Sequence, residues 1–117
     1  MAQNELENFG ADRKGDLLFD AVVNDMLPLR SQAECWKLIG QQIAAADSIC
    51  ANIEEGYGRE TTLQLIQFLG YARASCREVR GRYHRLRHWL PAEIIGILTR
   101  TIPRLRHKQS STSTSLP

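Results

Sequence analysis

Cysteine is scarce in this sequence and badly spaced for cross-linking. Cys35, Cys50 and Cys76 are odd in number and far apart, so they offer neither a disulfide framework nor a C-x-x-C metal motif. Reduced thiols, and with them a cytoplasmic setting, are the expectation. No stretch approaches the ~18 uncharged apolar residues of a membrane span, and no apolar segment near Met1 reads as a signal peptide. No membrane partner is expected. There is no internal repeat and no serine, histidine and acid grouping that stands out. Gly56-Tyr57-Gly58 lacks the strand context and the third glycine of a dinucleotide turn. These absences argue against an enzyme and against a cofactor.

What is present fits one soluble domain. The chain has 117 residues, 43% of them hydrophobic and 24% charged, an ordinary globular composition for a single core. Residues 1–11 carry little apolar pattern and are expected to fray. A helical domain is expected over residues 12–108, followed by a disordered, Ser/Thr-rich tail at 109–117.

The spacing predicts four helices and no strands. The first runs from about Asp12 to Leu27, where Pro28 forces its end. The second opens with the capping-box pattern Ser31-Gln32-Ala33-Glu34. Trp36, Ile39, Ile43, Ala46, Cys50, Ile53 and Tyr57 follow at steps of three and four, with Leu38 and Ile49 widening the apolar arc. A second capping box, Thr61-Thr62-Leu63-Gln64, starts the third helix. There Leu65, Phe68, Leu69, Ala72, Cys76, Val79, Tyr83, Leu86 and Leu90 keep the period, and the three cysteines read as core thiols. Pro91 suits the first turn of a fourth helix, lined by Ile94, Ile95, Leu98, Ile102 and Leu105. Short connections between long helices favour an antiparallel up-down four-helix bundle. The wide apolar arc of the second helix calls for two neighbours, or for one neighbour and another subunit, with a locally thick core as the alternative.

Charge divides the chain. Eleven acids against five bases give −6 over residues 1–72, and ten bases against two acids give +8 over residues 73–117. Such asymmetry suits a nucleic acid, an acidic protein or a neighbouring subunit. Arg73, Arg77, Arg80, His84 and Arg87 share one flank of the third helix, and Arg104 on the fourth extends it. Guanidinium groups match phosphate geometry by donating paired hydrogen bonds. The competing view is a solvated face with ion pairs to the acidic first helix. Arg82 lies on the other flank and is expected to pair with Glu78. On the second helix Ser48, Asn52, Glu55 and Arg59 follow i, i+4, i+7, i+11 and are expected to form one structural hydrogen-bond network, with a ligand site as the alternative. His84 and His88 have zinc spacing but lack a third ligand, so no metal is expected.

The stretch Leu38 to Arg59 reads LIGQQIAAADSICANIEEGYGR. It resembles the signature of the four-helix bundle proteins encoded in 23S rRNA intervening sequences, roughly L-x-x-Q-x-x-x-A-x-x-S-I-P-A-N-I-A-E-G-x-G-R. Leu38, Gln41, Ala45, Ser48, Ile49, Ala51, Asn52, Ile53, Glu55, Gly56, Gly58 and Arg59 match without a gap. The segment Leu65 to Glu78 is similar to the family's following F-x-R-F-L-x-x-A-R-G-S-x-x-E. Ala44, Cys50, Leu65, Gln67 and Ala74 depart from the pattern. The resemblance implies a ring, typically a homopentamer, with a basic surface to which nucleic-acid binding is ascribed. It also implies kinship with the accessory protein of diversity-generating retroelements, which binds reverse transcriptase and RNA. The expected function is therefore non-enzymatic binding of RNA or DNA backbone. The alternative is an interaction scaffold, or accessory subunit, docking an acidic protein or a polymerase.

Overall fold

A computed structural model of the chain describes residues 10–91. The described residues form three α-helices and three short 3-10 segments, with no strand among them. The described residues fall into two compact units, one ending at Arg82 and the other beginning at Tyr83.

In the first unit, helix α1 spans Ala11–Met26. Gly10 precedes it with φ of 85°, a left-handed conformation that costs glycine nothing. Pro28 ends the helix as expected, and the chain continues as a 3-10 turn over Leu27–Ser31. The capping box expected at Ser31 does not form. Ser31 closes that turn, with its hydroxyl directed back to the Pro28 carbonyl, and a second 3-10 segment covers Ala33–Cys35. Burial of Leu29 and Cys35 holds these tight turns in place, so helix α2 begins only at Trp36 and runs to Tyr57. Trp36 is 63% exposed and not part of the core stripe. Its indole Nε1 donates to the Arg30 carbonyl at 2.8 Å, fastening the turn to the helix start.

The second capping box does form. Gln64 N donates to Thr61 Oγ1 at 3.2 Å, and Thr61 N donates to Gln64 Oε1 at 3.3 Å. Two free donors at the helix end are thereby satisfied reciprocally, and helix α3 runs over Thr62–Arg85.

The core of this unit uses Val22, Met26, Leu29, Ala45, Ala46, Ile49, Ile53, Ala72 and Val79. Each large side chain here contributes about 1.5–3 kcal/mol on burial. Helix α1 packs along α2. A Cβ on Gly15 would lie 3.4 Å from Cys50 Sγ and 3.6 Å from Ile53 Cδ1, so the two backbones approach closely there. Gly56 is tighter still: its Cβ would stand 3.1 Å from Phe68 Cβ and 3.2 Å from Leu65 Cδ1. Helices α2 and α3 run antiparallel, since Gly56 meets the start of α3 while Gln42 meets Val79 near its far end.

Cys35 alone is fully buried. Cys50 is half-buried and Cys76 exposed, which corrects the expectation of three core thiols. At about 100° per residue the buried face of α3 centres on Ser75 and Val79, and Cys76 falls on its shoulder.

In the second unit Tyr83, Leu86 and Leu90 are buried. The helix tightens into a 3-10 turn over Leu86–His88. The fourth helix expected after Pro91, with Arg104 on it, lies outside the described residues, as do most of the expected N-terminal segment and the tail.

Candidate nucleic-acid interface

Helix α3 owes its orientation to polar contacts with α2. Gln42, fully buried, donates from Nε2 to the Val79 carbonyl at 2.8 Å and accepts at Oε1 from Arg82 Nη1 at 3.0 Å. Six residues along α2, Ser48 Oγ and Ser75 Oγ share a hydrogen bond of 2.9 Å. Asn52 Nδ2 donates to both the carbonyl and the hydroxyl of Ser48, at 2.8 and 3.1 Å. A buried polar group without a partner costs about 1–3 kcal/mol, so these bonds favour one register and one rotation of α3.

That rotation turns Ser75, Val79 and Arg82 toward α2 and sends Arg73 and Arg77 into solvent, with Arg80 half-exposed. Among the described residues none of these three makes an ion pair. The view that they neutralise the acidic first helix therefore has no contact to support it. His84 and Arg87, in the second unit, are both exposed, and Arg87 Nη1 donates to the His84 carbonyl at 2.7 Å. The expected Glu78–Arg82 pair does not form, because Arg82 turns inward to Gln42. Its Nε is buried with no hydrogen-bond partner among the described residues.

The row Ser48, Asn52, Glu55 and Arg59 divides in two. Ser48 and Asn52 join Ser75 in the contact between helices, whereas Glu55 and Arg59 form an exposed ion pair of their own. Arg59 also lies 4.8 Å from the centre of the Phe68 ring, and Phe68 meets Tyr71 edge-on at 5.5 Å. Arg59 is thus committed to the α2–α3 junction.

Gln42, Ser75 and the inward role of Arg82 escaped the sequence reading. A signal was there: Gln42 stands in line with Ala46, Ile49 and Ile53 at steps of four, three and four. Arg82 likewise continues Ser75 and Val79.

Thiol chemistry is suppressed at the described cysteines. Burial, with the negative charges of Asp16, Glu54, Asp47 and Asp12, pushes the Cys50 thiol up to about 11. Burial also raises Cys35, with Glu34 adding to it, and raises Cys76. His88 packs edge-on against Trp89 at 5.7 Å. Among the described residues no group of three histidine, cysteine or acidic side chains converges on a metal position, and no helix is long and apolar enough to cross a membrane.

The family model described as 23S rRNA-intervening sequence protein matches residues 17–89. The chain belongs to this family. The match takes in most of α1 and all of α2 and α3, so it includes the Gln42 and Ser48 contacts together with the arginine row. No curated protein and no solved structure matches the chain.

Proposed function

We propose that this member of the 23S rRNA-intervening sequence family binds nucleic-acid backbone through Arg73, Arg77 and Arg80, with His84, Arg87 and Arg104 as further phosphate-binding candidates. The observation that carries the reading is an exposed line of guanidinium groups without carboxylate partners among the described residues. Such groups recognise phosphate by charge and paired donors, without reading bases. Binding is electrostatic and weakens steeply with salt.

Gel-shift titration of the full chain with a uridine oligomer and with a DNA duplex, at several salt concentrations, tests it. The parent is expected to bind at low salt with a negative slope of log affinity on log salt. Arg77→Glu is expected to make that slope shallower by about one. Absence of binding at low salt removes the proposal. A partner captured by the protein that survives nuclease digestion would replace nucleic acid with an acidic protein or polymerase. The architecture inferred around this surface has a fourth helix after Pro91 and homo-oligomeric assembly into a ring. It operates in the cytoplasm with no catalytic step. Kinship with the retroelement accessory protein belongs to the same reading.

A further inference from the structure

The arginine row does not begin at Arg73. Followed toward the N-terminus at the same steps of four and three, it continues through Gly70, Ile66 and Leu63. Leu63 and Ile66 are 79% and 60% exposed, and nothing lies within 4 Å of a Cβ placed on Gly70. One straight seam of α3, about 26 Å long at 1.5 Å per residue, is therefore apolar in its first half and basic in its second. Phosphate satisfies only the basic half. Large apolar side chains held in water call for an apolar partner.

Helix α2 carries an exposed seam of matching spacing. Lys37, Gly40, Ala44, Asp47, Ala51 and Glu54 are all exposed, and Gly40 too has open space where a Cβ would be. Laid parallel, the two seams correspond step for step, and Leu63 falls opposite Lys37, where only the methylene stem of the lysine offers it apolar surface. Ile66 falls opposite Gly40 and Gly70 opposite Ala44, so a bulky residue meets the smallest one and the backbones can approach. Arg73 then falls opposite Asp47 and Arg80 opposite Glu54, with Arg77 over Ala51. Alternating steps of three and four on both partners are the spacing of helices that cross at about 20°.

We propose that the α3 seam of one copy docks in parallel on the α2 seam of a second copy, with Arg73–Asp47 and Arg80–Glu54 as the pairs that set the register. This rests on the oligomeric reading above and adds the faces that meet. The two faces differ, so the contact is head-to-tail and propagates until it closes. It engages the arginines assigned to nucleic acid, so a polyanion and a neighbouring subunit compete for Arg73 and Arg80.

Light scattering of the full chain over a range of concentrations tests the contact, with circular dichroism as a check on folding. Arg73→Glu and Asp47→Arg, both at exposed positions, are each expected to weaken association about tenfold or more. Together they are expected to restore it to within about threefold of the parent. Arg73→Glu combined with Glu54→Arg, which breaks the register, is expected to give no rescue. Gly40→Leu has space in the isolated chain and is expected to dissociate the assembly with helicity retained. A parent that stays monomeric at every concentration overturns both the contact and the oligomeric reading. An assembly indifferent to these changes, or a charge swap without rescue, overturns the contact alone. Titration with the uridine oligomer keeps the nucleic-acid reading separate: Asp47→Arg retains that binding, and the swapped pair does not recover what Arg73→Glu loses.

Discussion

Replacing Gln42 with methionine tests the link between the buried polar contact and the stability of the α2–α3 pair. The change keeps side-chain length and removes two hydrogen bonds, one to the Val79 carbonyl and one from Arg82. A neutral bond contributes about 1 kcal/mol and a charge-assisted one about 2. Apolar burial of the methionine returns about 1 kcal/mol, leaving a net loss of about 2 kcal/mol. Arg82→Met alone leaves Gln42 Oε1 without its donor in a fully buried position, but it also removes the partnerless Nε, so about 1 kcal/mol is lost. With both replaced, two apolar chains face each other, no charged group is stranded, and only the Val79 carbonyl loses a side-chain donor. The double variant should lie within about 1 kcal/mol of the parent, because apolar replacement of a buried polar pair is commonly near neutral. Urea denaturation of the four proteins, followed by circular dichroism at one fixed protein concentration, closes the cycle. Effects that add to within about 0.5 kcal/mol would refute the reasoning, since uncoupled residues behave that way.

Two further outcomes follow from the packing. Gly56→Ala places a methyl 3.1 Å from Phe68 Cβ and 3.2 Å from Leu65 Cδ1, and thermal denaturation should show a loss of about 1–3 kcal/mol, whereas Gly70→Ala, which meets open space, should show none. Under native conditions iodoacetamide should modify Cys76 well before Cys35, as read by peptide mass mapping, because Cys76 is exposed and Cys35 fully buried. Cys50 should resist until high pH. Its thiol rises from 9.0 to about 11 on folding, so the native state holds the proton more tightly than the unfolded chain. That contribution to stability is fully present below pH ~9 and is lost as pH rises to ~11.

The helices were legible wherever a local signal agreed with the packing. Pro28 stops α1, and Thr61 with Gln64 starts α3, because each acts through its own backbone neighbours. Ser31 carried the same capping pattern yet caps nothing. Burial of Leu29 and Cys35 draws the chain through two 3-10 turns first, and no short window of sequence contains that long-range demand. The placement of Arg73 and Arg77 on a solvent face was legible from period alone. The fate of Arg82 was not. A charged residue in line with an apolar stripe has a neighbour at i−4, Glu78, that satisfies the local rule, and only the fold reveals that Gln42 stands 40 positions earlier to receive it. Glu55 and Arg59 failed to join Ser48 for a related reason: Phe68, beyond the turn, offers Arg59 its ring face.

The buried polar contacts connect stability to the surface. An apolar seam between two helices of leucine and alanine tolerates sliding and rotation, because dispersion contacts are nearly interchangeable. Hydrogen bonds are not interchangeable. Gln42 reaches the Val79 carbonyl in one register, and Ser48 meets Ser75 at the same register, so any slip strands several buried groups at about 1–3 kcal/mol each. A rotation of α3 by one residue, about 100°, would turn Arg73 or Arg80 toward the core. The polar contacts thus hold the guanidinium row outward by penalising every orientation that would bury it, whether its occupant is a phosphate backbone or the carboxylates of a second copy. The Gln42 and Arg82 double variant isolates this role. With stability near that of the parent but the Gln42 part of the rotational lock removed, and Ser48–Ser75 left in place, a weaker affinity for the uridine oligomer would trace the loss to orientation, since neither Gln42 nor Arg82 belongs to the exposed row.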